Sequence, residues 1–309
     1  MKRAGTAGAL LSVRSAAFGQ PASGNEPDPE PLGVGKLDVV YAGADGRVVV
    51  TDSTSYLDAR IGPKDVVIAS SYAGATLVAW TLGVGLKALI VHDVGVGKAQ
   101  AGISGLPLGD KYGVPIAAVA ADTATLSNGN SMAQGRISHA NSAASKLGVR
   151  PGQTAREAAQ LLLKAEAGRK IDANSGSDNK LYEMEKTPNG RILAIWTLFF
   201  LGENRYPNDV FALATHSARV AAEHAFRWNV KGWIANDAGP GKNNSGISGL
   251  AICGEKGMPA AAVGAMSARI GDALSTYNDG IISALNEPAR SRGIVIGMTA
   301  KEALHRMLV

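Results

Sequence analysis

The residues best suited to chemistry fall in three short segments of the second half: Thr215-His216-Ser217, Asn236-Asp237 through Lys242, and Ser267 through Asp272. His216 carries the side chain that exchanges protons near neutrality, which suits an acid/base. Lys242 and Arg269 would hold negative charge, Arg269 through two parallel N–H groups. Asp237 or Asp272 would orient a partner or a water. Ser217, Asn236 and Ser267 add hydrogen-bonding groups, and Gly239 and Gly241 let backbone close on a ligand. The first half offers Ser71-Tyr72-Ala73, His92-Asp93 through Lys98, and Thr123 through Asn128. Asp93 and Lys98 join the candidate ligand-binding set. Thr125 and Asn128 stand opposite Arg269 and Asp272, so the charged set is complete only in the second half. That predicts the working site there.

Each of these residues has a quieter alternative. The Gly-rich loops ending in Lys98 and Lys242 could form an anion site from backbone N–H groups and an ammonium. They fail the known phosphate templates, because Ala99 and Asn243 follow the lysines and Gln100 and Asn244 occupy the dinucleotide glycine position. An Asp–Lys pair bracing a sharp turn is the plain reading. Ser104 and Ser248 in Gly-Ile-Ser-Gly lie inside a helix start, off the turn of a nucleophile elbow, which favours packing or capping. Arg269–Asp272 could be a local salt bridge or cap, and His216 a capped or surface histidine. His224 reads as a polar-face helix residue. With one cysteine, Cys253, and no paired-ligand spacing, neither a bound transition metal nor any other cofactor is expected.

The elements that must position these residues emerge from a tandem duplication. Shifting the chain by 144 residues aligns 36–131 with 180–275 without a gap, with 27 identities in 96 pairs. DVGVGKAQAGISGL (93–106) meets DAGPGKNNSGISGL (237–250). After one inserted residue, GQTAREA (152–158) meets GMTAKEA (297–303). The chain therefore reads as a tail, 1–35, rich in Ala, Ser, Gly and Pro and expected to be disordered; a first α/β repeat, 36–165; a linker, 166–179; and a second repeat, 180–309.

Each repeat opens on a hairpin signal, Asp45-Gly46 or Asn189-Gly190, between β-rich runs. Apolar strands (DVVIAS, KALIVHD, IAAVAA and counterparts) then alternate with helix-compatible stretches at 76–84 and 218–228. A last helix is expected around 136–147 or 281–292, followed by a short strand and the TAREA or TAKEA helix. This pattern predicts a three-layer α/β unit with a mostly parallel sheet, used twice about a pseudo-two-fold axis, or as two independent beads. The run ILAIWTLFFL (192–201) should bury a strand at an interface between halves or between copies, which allows a homo-oligomer.

The formal charge is +5, with scattered Lys and Arg and no basic run interleaved with aromatics, which argues against nucleic acid. Val66–Leu86 is uncharged and long enough to span a bilayer, but its counterpart Val210–Val230 carries Arg219, Glu223, His224 and Arg227, which argues against a membrane. A cytoplasmic protein is expected. The leading functional expectation is a cofactor-independent enzyme, a hydrolase or related C–N or C–O bond-cleaving enzyme, acting on a small polar anionic metabolite at the strand C-terminal loops. The alternative is a non-catalytic protein that binds or senses an anion or other small molecule.

Overall fold

The computed structural model describes residues 28–174, 180–202 and 205–309. Most of the expected tail and residues 175–179 of the expected linker lie outside these. The first sheet has six strands in chain order: β1 (Asp38–Gly43), β2 (Gly46–Thr51), β3 (Asp65–Tyr72), β4 (Ala88–His92), β5 (Ile116–Val119) and β6 (Ile137–Ala140). The four central strands are mutually parallel, and β1 and β6 pair antiparallel at the two edges. The second sheet repeats this order with β7 (Tyr182–Thr187), β8 (Gly190–Ile195), β9 (Val210–His216), β10 (Gly232–Asn236), β11 (Ala260–Val263) and β12 (Ile282–Leu285).

Helices of the first unit are α1 (Ala75–Leu82), α2 (Leu106–Tyr112), α3 (Gly129–Gln134), α4 (Ser142–Lys146) and α5 (Ala155–Leu162). Those of the second are α6 (Arg219–Trp228), α7 (Ser248–Glu255), α8 (Ala273–Asp279), α9 (Glu287–Arg290) and α10 (Ala300–Leu308). In β3, Val67 and Ala69 pack into one core with Leu77, Val78 and Leu106, while Val66 and Ile68 pack into another with Met132, Ala158 and Leu162. Alternate residues thus serve opposite faces, which is why these strands read as continuously apolar. The T-x-x-E of TAREA and TAKEA is a capping box in both units: Thr154 and Glu157, and Thr299 and Glu302, satisfy each other's free N–H groups.

Two local expectations change. Residues 137–140 and 282–285 are the antiparallel edge strands β6 and β12, so the helix expected over 136–147 or 281–292 shrinks to α4 or α9. Ile137-Ser138-His139-Ala140 has too short an apolar period to separate the two states. The run 192–201 is also split. Its first residues complete β8, while Leu198–Phe200 form a 3-10 turn that faces the first unit. Val66–Leu86 divides into β3 and α1, and no helix among the described residues is long and apolar enough to cross a membrane.

The units cross at their Gly-rich loops. A Cβ added to Gly95 would sit 3.5 Å from the Gly239 Cα, and one on Gly239 would sit 3.4 Å from the Gly95 Cα. The Lys98 N–H donates to the Ala265 carbonyl at 2.9 Å, and the Lys242 N–H to the Ala121 carbonyl at 2.7 Å. These residues correspond at the 144-residue offset, so each loop reaches into the other unit in the same way.

Candidate functional site

The loop crossing sends each lysine into the opposite unit's strand-end crevice. In the crevice of the first unit, the Lys242 ammonium donates to Asp28 Oδ1 at 2.6 Å and the Ser131 hydroxyl to the same oxygen at 3.0 Å. The Asn243 amide donates to Asp28 Oδ2 at 2.5 Å, and the Thr125 hydroxyl donates to that oxygen as well. Burial alone would raise the Asp28 carboxyl, but the hydrogen bonds from Lys242, Thr125 and Ser131 outweigh it and hold the group below its ordinary value. The segment behind Asp28 lies along the same crevice. Asn128 donates to the Pro29 carbonyl at 2.7 Å, Asn130 to the Glu30 carbonyl at 2.8 Å, and the Leu32 and Gly33 N–H groups to Asp52.

The crevice of the second unit keeps the equivalent lysine and serine, Lys98 and Ser275, but is closed from within. The Ser275 hydroxyl donates to Asp279 Oδ2 at 2.7 Å, and Lys98 reaches the same oxygen at 3.3 Å and the Ser267 carbonyl at 2.8 Å. Asp279, at the end of α8, thus takes the part played by Asp28. Ala99 stands where Asn243 stands, so this crevice lacks the amide donor. Arg269 turns to Asp272 at 2.7 Å and is 44 % exposed. Asp272 also caps α8 through the Ser275 N–H, as Asn128 caps α3.

The remaining candidates are dispersed. Asp237 Oδ1 accepts from the Gly239 and Ala265 N–H groups and its Oδ2 from Ser283. Asp93 braces its loop in the same way, through Gly95 and Ala121. The Gly241 N–H is bonded to the Gly239 carbonyl, so with Asp237 holding the Gly239 N–H neither glycine presents a free donor. Asn236 bridges Ala238 and Ala268 inside the core, and His92 makes the equivalent pair of bonds to Val94 and Ala124. Ser267 bonds Gly264 and Ile281. Ser217 is fully buried and its hydroxyl has no partner among the described residues. Ser104 and Ser248 receive the first free N–H of α1 and α6, from Ala75 and Arg219, which is a capping role.

His216 lies apart from both crevices, in a cleft between the units that opens to solvent. Trp80, Trp196, Phe199 and Phe200 wall it, with Trp196 and Phe200 stacked at 5.2 Å. Ser53, Ser55, Ser71, Tyr72 and His224 also line it. Burial, then the neighbouring His92 and His224, pushes His216 down to about 3, and burial with Arg227 pushes His224 down to about 4. Both imidazoles are therefore neutral at neutral pH. His216, Lys242 and Arg269 therefore occupy three places: the cleft, the first-unit crevice and the second-unit crevice.

A partly buried ion pair ties α6, which lines the cleft with Val220, Ala221 and His224, to the first unit beside the crevice. Asp52, fully buried, accepts from Arg219 at 2.8 Å and from the Gly129 N–H at 2.8 Å. Arg219 also donates to the Ser127 carbonyl at 2.6 Å and to Glu223, which accepts from the Tyr56 hydroxyl at 2.8 Å. At the equivalent crossing Trp196 replaces Asp52 and donates to the Tyr72 hydroxyl at 2.6 Å. Sequence reasoning passed over Asp28, Ser131, Asn243 and Asp52. The one available signal was the acidic Asp28-Pro29-Glu30 stretch immediately before the repeat.

Among the described residues no group of three or more His, Cys, Asp or Glu side chains could hold a metal ion. Compared with protein-family models, with curated proteins and with solved structures, the chain matches none.

Proposed function

We propose that the protein is a non-catalytic binder of a small carboxylate, held in the first-unit crevice by Lys242 and Asn243 from one unit and Thr125 and Ser131 from the other. One observation carries this reading: a carboxylate from outside the repeat, that of Asp28, sits among those four donors. Four side-chain donors, one of them charged, match the acceptor capacity of an ionised carboxylate. The second-unit crevice supports it by contrast, because its carboxylate, Asp279, belongs to its own helix and already engages Lys98 and Ser275. We read the two units as related by a pseudo-two-fold axis passing between Gly95 and Gly239, which explains why the crevices share a plan and differ in occupant.

The hydrolase reading needs an acid/base beside the bound anion. His216 lines the aromatic cleft, and His92 spends its Nε2 on the Ala124 carbonyl; burial lowers both imidazoles from their ordinary value. Binding needs no such group, so the geometry favours it. In this account Asp28 is a built-in ligand that an external carboxylate replaces.

The test is a metabolite pool passed over immobilised Asp28→Asn and Asp28→Asn/Lys242→Ala chains, with retained compounds read by mass spectrometry. Carboxylates enriched on the first and absent from the second are expected. Equal retention on both, or enrichment of uncharged compounds alone, would remove Lys242 from any such site.

A further inference from the structure

We propose that the cleft between the units is a second binding site, for a neutral flat ring bearing a hydrogen-bond acceptor such as a carboxamide carbonyl. Its walls set the shape. The rings of Trp80, Phe199 and Phe200 meet edge to face at 5.1–6.2 Å, and Trp196 stacks on Phe200. Aromatic walls of this kind receive a planar ring in offset-stacked or edge-on contact. Trp80, Phe199 and Phe200 are half-buried, so the rings meet solvent at the mouth.

Charge sets the ligand's class. Among the described residues, no Lys, Arg, Asp or Glu lines the cleft. The titratable groups that face it are His216, His224 and Tyr72, all in their neutral forms at neutral pH because burial disfavours the charged ones. An ion placed here would lose its water with no counter-charge in return.

Hydrogen bonding sets the acceptor. The Tyr72 hydroxyl accepts from Trp196, and Ser71 accepts from the Thr54 backbone and side chain. Ser53 and Ser55 bond each other at 2.6 Å, and His224 Nε2 lies 3.4 Å from Ser55. His216 differs. Its Nδ1 accepts from the Ala218 N–H at 3.3 Å, which places the proton of the neutral ring on Nε2. That Nε2–H has no partner among the described residues, on a side chain only 6 % exposed. With the hydroxyl protons of Tyr72 and Ser71, which also find no acceptor among the described residues, it is a donor open to a ligand carbonyl. The first unit carries Tyr72 at the equivalent position, so the feature occurs once. None of the four side chains that hold Asp28 lines the cleft, and the inference stands or falls independently of carboxylate binding.

The probe is benzamide, with benzoate and benzylamine as charged analogues of the same shape, titrated into the full Lys242→Ala chain so that the crevice is silent. Ligand-observed NMR and tryptophan fluorescence report binding. Benzamide is expected to bind with a dissociation constant on the order of 1 mM or tighter, and both charged analogues about tenfold more weakly. His216→Leu should weaken benzamide about tenfold through the lost hydrogen bond. Trp80→Leu, at the half-buried mouth, should weaken it comparably and serves if His216→Leu does not fold. No benzamide binding, benzoate binding as tightly as benzamide, or unchanged affinity in a folded variant would overturn the proposal.

Discussion

Asp28 and Asp279 come from unrelated parts of the chain, yet each meets a lysine from the opposite unit and a serine at the same repeat position. That convergence supports the proposal that the crevice is a carboxylate site. The lysines were legible in the sequence, because both stand at the end of a repeated Gly-rich loop. Their destination was not, since a loop that crosses into another unit leaves no local pattern. Arg269 illustrates the reverse. It attracted attention as the charge missing from the first half, but its position three residues before Asp272 allows a local pair, and that is what forms. The histidines yield a prediction about pH. His216 and His224 have folded values near 3 and 4 against an ordinary value of 6.5, and His92 is lowered too. The unfolded chain therefore takes up these protons first as pH falls, so stability is full above about 6.5 and is lost below it, down to the folded values. At roughly 1.4 kcal/mol per pH unit for each histidine, His216 and His224 together should remove about 4 kcal/mol between pH 7.5 and pH 5. Urea unfolding at the two pH values measures this. A flat profile would mean that these imidazoles are hydrated in the folded state.

At the scale of elements, the repeated Gly-Ile-Ser-Gly segment is explained by close backbone approach. A Cβ on Gly246 would lie 2.1 Å from the Asp237 carbonyl oxygen, and one on Gly102 would lie 2.4 Å from that of Asp93. The serines between each pair of glycines cap the preceding helix. The motif is thus a buckle between the strand-end loop and the next helix, which is why it appears in both units. Gly246→Ala should destabilise the chain by more than about 3 kcal/mol, because backbone must move. Gly152→Ala, at a φ of +90° with nothing within 4 Å, should cost only the strain of the left-handed region, about 1 kcal/mol. Chemical denaturation of the two variants separates packing from conformational strain, and equal losses would contradict the distinction. Strands with both faces buried and the two T-x-x-E helix starts were readable because each depends on a short window. β6 and β12 were not, because their pairing with β5 and β11 comes from residues about 20 positions away.

At the scale of the molecule, the units meet through paired but unequal crossings. One carries the Asp52–Arg219 ion pair, the other the Trp196–Tyr72 bond and its aromatic neighbours. The duplication announced two like units; the residues that differ between them, Asp52 against Trp196 and His216 against Tyr72, are where the shared cleft acquires its character. Arg219→Ala should destabilise the protein by about 3–5 kcal/mol, since it leaves the Asp52 carboxylate buried with backbone donors only. Asp52→Asn should restore part of that loss by removing the stranded charge. Thermal or denaturant unfolding of the single and double variants checks this, and additive losses would show that the pair is not coupled.

If the first-unit crevice is a carboxylate site that Asp28 fills from within, an external carboxylate should compete with Asp28 for it. Calorimetric titration of N-acetyl-aspartate methylamide, a mimic of the Asp28 side chain and its flanking peptide groups, measures that competition. The expected result is binding to Asp28→Asn, weaker binding to the parent chain, where Asp28 competes, and about a hundredfold loss in Asp28→Asn/Lys242→Ala, equal to about 3 kcal/mol for a charge-assisted bond. Arg269→Ala in the Asp28→Asn background should bind as well as its parent. Equal affinity for the parent chain and Asp28→Asn, or full binding without Lys242, would contradict it.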